Sequence, residues 1–323
     1  MRKFAWKLFV LCLLSVSAAH AQHMVSKESP LRGELSYLGL TDYPPFSYYE
    51  KDEIHSIFLK PMRSFSEKYR FELKQYSEEK IENMDFKRIV LKVRSGECKI
   101  FLGAYSDTKM FKGLNIIYPA VVSNPLHVIS LPAAKDKIKS ADDLKKYKGM
   151  AIKTEYFSDF VMRKIQPLNL EYVESPYEAY EKLFTGEADY IIGSLYYNKI
   201  MASRLGIEQY LSYSKFPLYK IPVFVALSRQ TPMFTLYSNM LKEEMSKPEF
   251  ADNVKKEILR VVSSELEKNR GVVPPAFVKK AEIAEEEPVA DIGPDDEQEE
   301  DIGGQIVHEE IKGKTIEEVL EGL

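Results

Sequence analysis

From Leu35 to about Arg270, short β-like runs and helix-like runs take turns, and no other feature of the chain limits its fold as strongly. A chain that alternates in this way must cross from strand to strand through helices, which demands an α/β fold with mainly parallel sheets. Leu35 to Leu40 predicts a strand, and Pro44-Pro45 break it. Met62 to Tyr69 has helical apolar spacing, with Pro61 at its start. Asp85 can cap a helix whose Phe86, Ile89, Val90 and Val93 fall on one face; Gly96 ends it, and Ile100-Phe101-Leu102 follows as a buried strand.

A second unit of the same kind lies about 90 residues later. Ser175, Pro176 and Glu178 make an N-cap, a first-turn proline and a capping-box acid; the helix runs through Tyr180, Leu183 and Phe184 to Gly186, and Tyr190-Ile191-Ile192 is the strand. Gly96 aligns with Gly186, Glu97 with Glu187, Leu102 with Ile192, Gly103 with Gly193 and Ala104 with Ser194 at constant offset. Two lobes of similar construction follow, each with a turn at a strand's carboxyl end, where open α/β sheets place ligands. Two apolar β-rich stretches, Leu126 to Leu131 and Ile221 to Leu227, are positioned to connect them. Helical segments Phe234 to Ser246 and Glu249 to Lys268 complete the body, the latter with Val254, Ile258, Val261, Val262 and Leu266 on one broad face.

The ends differ from this body. Arg2, Lys3 and Lys7, the apolar run Phe9 to Val16 and Ala19-His20-Ala21 read as an export signal cleaved after Ala21; the run is short of the roughly 20 apolar residues of a membrane anchor. Only Cys98 then remains, so no internal disulfide forms, and its apolar surroundings predict a buried, inert thiol. Ala281 to Leu323 holds 16 acidic residues against Lys312 and Lys314 and has no aromatic residue, a composition that cannot collapse alone. The body from Gln22 to Lys280 carries 40 basic and 33 acidic residues, so the overall charge of −4 hides a basic body with an acidic tail. The tail reads as a solvated spacer or as a segment that folds back or binds a partner. For the second, Thr315 and Glu318 make a capping box, and Ile316, Val319, Leu320 and Leu323 share a helical face over 315–323.

Several pieces together resemble the extracytoplasmic solute-binding proteins of ABC transporters, particularly the polar amino acid-binding group (family 3, periplasmic binding protein type II). They are Tyr43-Pro44-Pro45-Phe46, Gly96 to Thr108, Ser140-Ala141-Asp142-Asp143-Leu144 with Gly149-Met150-Ala151-Ile152, and Glu178-Ala179 through Gly186-Glu187-Ala188-Asp189. The resemblance spans roughly Gly33 to Arg270 and implies a two-lobed type II fold, mainly parallel sheets joined by two crossing hinge strands. It implies a first lobe over 33–127 and 226–270, a second over 128–225, and an acidic linker and tail, expected to be disordered, over 271–323. The clamp residues of the family do not carry over: its carboxylate-binding arginine corresponds to Phe111, its ammonium-binding aspartate to Ser194, and the aspartate after the first lobe's glycine to Lys99. A desolvated amino acid needs partners for both its charges. Lys109 or Lys112 is a candidate substitute cation.

Candidate ligand-binding residues are the rings Tyr43, Phe46 and Tyr48 after the first strand, and Tyr105, Ser106, Thr108 and Lys109 after the second. Lys153 and Thr154, leading into a helix with Phe157, Phe160 and Val161, and Ser194, Tyr196 and Tyr197 complete the set. Asp189 reads as structural support at a strand start. The histidines lack metal spacing, and there is no nucleophile elbow, phosphate-cradling loop or dinucleotide fingerprint. No catalytic residue, cofactor, metal or nucleic acid is therefore expected. The expected function is a monomeric periplasmic solute-binding protein that closes on a small polar molecule and delivers it to an inner-membrane ABC permease. The alternative is a degenerate solute-binding fold acting as an envelope adaptor or sensory protein through its surface and acidic tail.

Overall fold

The computed structural model describes residues 33–78, 81–105, 109–134, 138–155, 157–215, 217–278 and 308–309. Strand β1 (Glu34–Gly39) lies between β5 (Glu72–Gln75) and β6 (Ile100–Ala104), parallel to both. A small antiparallel sheet of β2 (Asp42–Tyr43), β3 (Ser47–Glu50) and β4 (Glu53–His55) follows β1, and α1 (Leu59–Tyr69) leads to β5. Helix α2 (Phe86–Ser95) begins where sequence places it, because the Asp85 carboxylate accepts the Arg88 N–H at 2.7 Å. Its apolar face, Phe86, Ile89, Val90 and Val93, is buried. It ends at Gly96, whose φ of +83° suits a residue without Cβ.

The second half repeats the plan. β8 (Gly149–Ile152) is parallel to β9 (Glu171–Val173) and β10 (Tyr190–Ser194). Helix α3 (Asp159–Ile165) connects β8 to β9, and α4 (Pro176–Phe184), capped by Ser175 Oγ accepting the Glu178 N–H at 3.2 Å, precedes β10. Thus β6 and β10 occupy equivalent places, each between a parallel neighbour and an antiparallel hinge strand.

The hinge strands are β7 (Asn115–Ser130) and β12 (Tyr219–Leu227). They pair antiparallel, with Asn115 opposite Leu227 at one end and Leu126 opposite Tyr219 at the other. β12 joins β6 through Phe224–Leu227, and β7 joins β10 through Leu126–Ile129, giving the order β5-β1-β6-β12-β7-β10-β8-β9. The architecture is two-lobed α/β, and the first connection extends well upstream of the expected Leu126. β11 (Ser212–Ser214) borders β7 on the second lobe.

Helix α5 (Leu195–Arg204) follows β10, and α6 (Phe234–Met245) and α7 (Pro248–Lys268) follow β12. α7 touches both lobes: Glu257 pairs with Lys60 of α1 at 2.9 Å and Glu265 with Arg204 of α5 at 2.9 Å. The linker does not begin at 271 as expected. Phe277 and Val278 are buried, with the Phe277 ring against Tyr177 and Phe184 of α4 at 5.5 and 5.4 Å. One aromatic after Pro274-Pro275 has enough apolar surface to hold this stretch on the second lobe. Beyond it, His308–Glu309 (β13) lies antiparallel to β11. The signal segment 1–21, the candidate helix 315–323 and the rest of the tail fall outside the described residues.

Candidate functional site

The carboxyl ends of the strands meet between the lobes, and seven of the predicted residues converge there. From the first lobe come Tyr43, at the end of β2, and Phe46, stacked at a centroid distance of 5.7 Å. From the second come Tyr196 and Tyr197, on the first turn of α5, where Ser194 Oγ caps the helix by accepting the Tyr197 N–H. The rings cross the gap: Tyr43 to Tyr197 is 5.1 Å and Phe46 to Tyr196 is 6.2 Å.

A polar chain runs through the same place. Asn124, on β7 between the lobes, donates its amide to the Tyr43 and Tyr105 hydroxyls at 2.9 and 3.3 Å and accepts the Ser194 hydroxyl at 2.6 Å. The Ser194 N–H donates to Glu155 Oε2, and Asn198 Nδ2 donates to Glu155 Oε1 at 2.6 Å. Asn198 is held by the Tyr180 hydroxyl, which donates to its Oδ1 at 2.9 Å. Thr154 Oγ1 lies 3.4 Å from the Tyr197 hydroxyl.

Among the described residues, this seam is filled by the chain's own side chains. An enclosed space large enough for an amino acid would leave its walls accessible to a water-sized sphere, yet Asn124, Ser194 and Tyr197 are 0% exposed, Tyr43 1%, Glu155 3% and Tyr105 4%. Burial pushes the Tyr105 phenol up to about 12 and raises the Tyr43 and Tyr197 phenols, so all three stay neutral hydrogen-bonding groups. Burial also raises the Glu155 carboxyl to about 8, against the lowering effect of its Ser194 and Asn198 donors.

Other candidates stand elsewhere. Tyr48 stacks on His55 at 5.1 Å and lines a groove of about 610 Å³ between α1 and α7, because alternation along β3 turns it away from Ser47's side. The Lys153 ammonium pairs with Glu174 at the surface; α3 starts only at Asp159, capped by Ser158, so Lys153 and Thr154 do not open a helix. Lys109 reaches the lobe boundary only through its backbone, its N–H donating to Asp159 Oδ2 at 3.0 Å while its side chain is exposed. Ser106 and Thr108 lie outside the described residues. Phe111 packs in the first lobe against Phe86 and Phe101 at 5.4 and 5.2 Å and is part of the core. Asp189 supports a strand start, accepting the Lys148 N–H at 2.9 Å. Sequence reasoning missed Asn124, Glu155 and Asn198. The available signals were a polar residue inside an apolar β run, an acid directly after a strand's carboxyl end, and an amide four positions beyond the cap Ser194.

No protein-family model and no curated protein matches the chain in sequence. In structure it is similar to the GluR0 ligand-binding core complexed with L-glutamate, at 14% identity and a TM-score of 0.55, over 72% of this chain and 99% of that one. It is similar at 14% identity and a TM-score of 0.53 to an amino acid ABC transporter substrate-binding protein from Streptococcus pneumoniae bound to L-arginine, over 72% of this chain and 96% of that one. A histidine kinase sensor domain with similarity to periplasmic binding proteins matches at 13% identity and a TM-score of 0.50, over 75% and 98%. The chain has the two-lobed fold of type II periplasmic binding proteins.

Proposed function

We propose that this chain is an exported solute-binding fold whose interlobe site is filled by its own side chains, and that it serves in the envelope as an adaptor or sensory module, a binding rather than a catalytic protein. The carrying observation is the buried seam in which Tyr43, Asn124, Ser194 and Glu155 complete one another's contacts. A carrier keeps a wet gap that a guest closes, because its ligand shifts the equilibrium only by the contacts it adds in the closed form. Here those contacts are already made. The existence of a sensor domain with this fold fits the reading. The basic start and apolar run of residues 1–21 support export, and no helix among the described residues is long and apolar enough to cross a membrane.

The second reading keeps solute capture for ABC-type uptake. Its support is that two strands, β7 and β12, make the sheet connection between the lobes, so the seam is free to part about them. A polar amino acid-like guest would then displace Tyr43 from Tyr197.

Melting and small-angle scattering of the full chain against amino acids, amines, organic acids and short peptides separate the two. The first reading expects no change in melting temperature or radius of gyration. A saturable rise in melting temperature with any one compound overturns it in favour of capture.

A further inference from the structure

We propose that Glu155 is an internal surrogate ligand: its carboxyl occupies a small carboxyl-group site made by the Ser194 N–H and the Asn198 side-chain amide, and so keeps small free carboxylic acids out. The proposal rests on the self-filled reading of the seam and gives the filled site its chemistry.

Each Glu155 oxygen has its own donor, the Ser194 N–H for Oε2 and Asn198 Nδ2 for Oε1. The donors come from the end of β10 and from α5, neither close to residue 155 in sequence. Two N–H donors, one on each oxygen, meet both oxygens of a carboxyl group, and each of those oxygens can accept in the neutral acid as well. Both are held independently of Glu155. The Ser194 peptide is fixed by the pairing of β10 with β7, and Asn198 is fixed by the Tyr180 hydroxyl on its Oδ1 and by its own bond to the Ser194 carbonyl at 2.9 Å. Removing the carboxyl therefore leaves a pre-aimed pair of donors.

The space is made for this group. A Cβ at position 193 would lie 2.4 Å from Glu155 Oε1 and 2.4 Å from Asn198 Nδ2, so Gly193 is what admits the carboxyl. The same Ser194 that receives it passes its hydroxyl to Asn124, which holds Tyr43 and Tyr105 of the first lobe. One tethered carboxyl thus anchors the contacts that draw the lobes together. Tethering gives it a high effective concentration against any free carboxylate.

Chemical rescue tests this. At about pH 5, where a good part of the free acid is protonated, Glu155→Ala is expected to melt below the wild type and to regain about 2–4 °C in millimolar acetate or propionate, saturably and relative to chloride at equal ionic strength. The wild type and Glu155→Gln are expected to show no such gain, and adding Asn198→Leu to Glu155→Ala is expected to abolish it. No acetate effect in Glu155→Ala, or an equal effect in the wild type, overturns the proposal. If Glu155→Ala does not fold, the readout becomes refolding yield of Glu155→Ala and Glu155→Ser in acetate against chloride; acetate-dependent recovery supports the proposal and equal yields overturn it. The self-filled reading itself fails on ligand binding by the wild type, a separate result.

Discussion

At Glu155 two influences oppose each other. Two donors favour the ionised carboxylate, while complete enclosure among Tyr43, Tyr105, Tyr180 and Tyr197 favours the neutral acid, and enclosure wins. The folded chain therefore holds a proton at Glu155 up to about pH 8, where the unfolded chain releases it near 4.5. Between those values the folded state binds more protons, so this group's contribution to stability falls as pH rises from about 4.5 to about 8 and is flat above. His127 acts in the other direction: burial lowers its imidazole from 6.5 to about 4, so its contribution is lost as pH falls through that window. Urea midpoints measured from pH 5 to 9 are expected in the wild type to fall between about pH 6.5, above which His127 no longer offsets Glu155, and about pH 8, and to level off beyond; Glu155→Gln is expected to be flatter over that interval. An unchanged slope between about pH 6.5 and about pH 8 in that variant removes Glu155 as the cause.

At the scale of elements, the caps decide where helices begin, and they act locally enough to be tested singly. Ser175 holds the first turn of α4, which packs under β10, the strand that delivers Ser194 to the seam. Ser175→Ala is expected to cost about 1 kcal/mol in a denaturant titration. The fold survives such a loss, because Ala179, Tyr180, Leu183 and Phe184 bury the helix face. A cost near zero would mean that packing alone fixes the start of α4. The same logic explains α3, where Ser158 caps and neither Lys153 to Glu155 nor Phe157 is helical.

For the whole molecule, the closed arrangement rests on a few contacts between large bodies. The ring pairs are worth about 0.5–1.5 kcal/mol each beyond their area, and the bonds of Asn124 about 1 kcal/mol each. Together they favour closure by a few kcal/mol, enough to hold an open form to roughly a per cent or less. Helix α7 reinforces this by pairing with α1 and α5 at once, and Phe277 adds the chain's exit to the second lobe. A chain ended at Val278 is expected to melt like the full chain, whereas one ended at Arg270 melts several degrees lower, since burying a phenylalanine is worth about 1.5–3 kcal/mol. Equal melting of the two truncations would show that the Phe277 contact contributes nothing.

Periodic patterns and caps are local, and for that reason the sequence by itself determined the α/β alternation, the matched units ending at Gly96 and Gly186, the capping by Asp85 and Ser175, and the burial of Cys98. Of the residues it singled out, Tyr43, Phe46, Tyr105, Thr154, Ser194, Tyr196 and Tyr197 lie together between the lobes, because strand carboxyl ends gather in a two-lobed α/β fold. It misplaced Tyr48 and Lys153, whose directions depend on strand alternation against a distant helix and on the late start of α3. Only the tertiary structure decided that the described residues of the seam bury one another between the lobes. Asn124, Glu155 and Asn198 are ordinary polar residues until β7, β8 and α5 meet, and a hydrogen bond between positions 39 or 70 residues apart has no period to betray it.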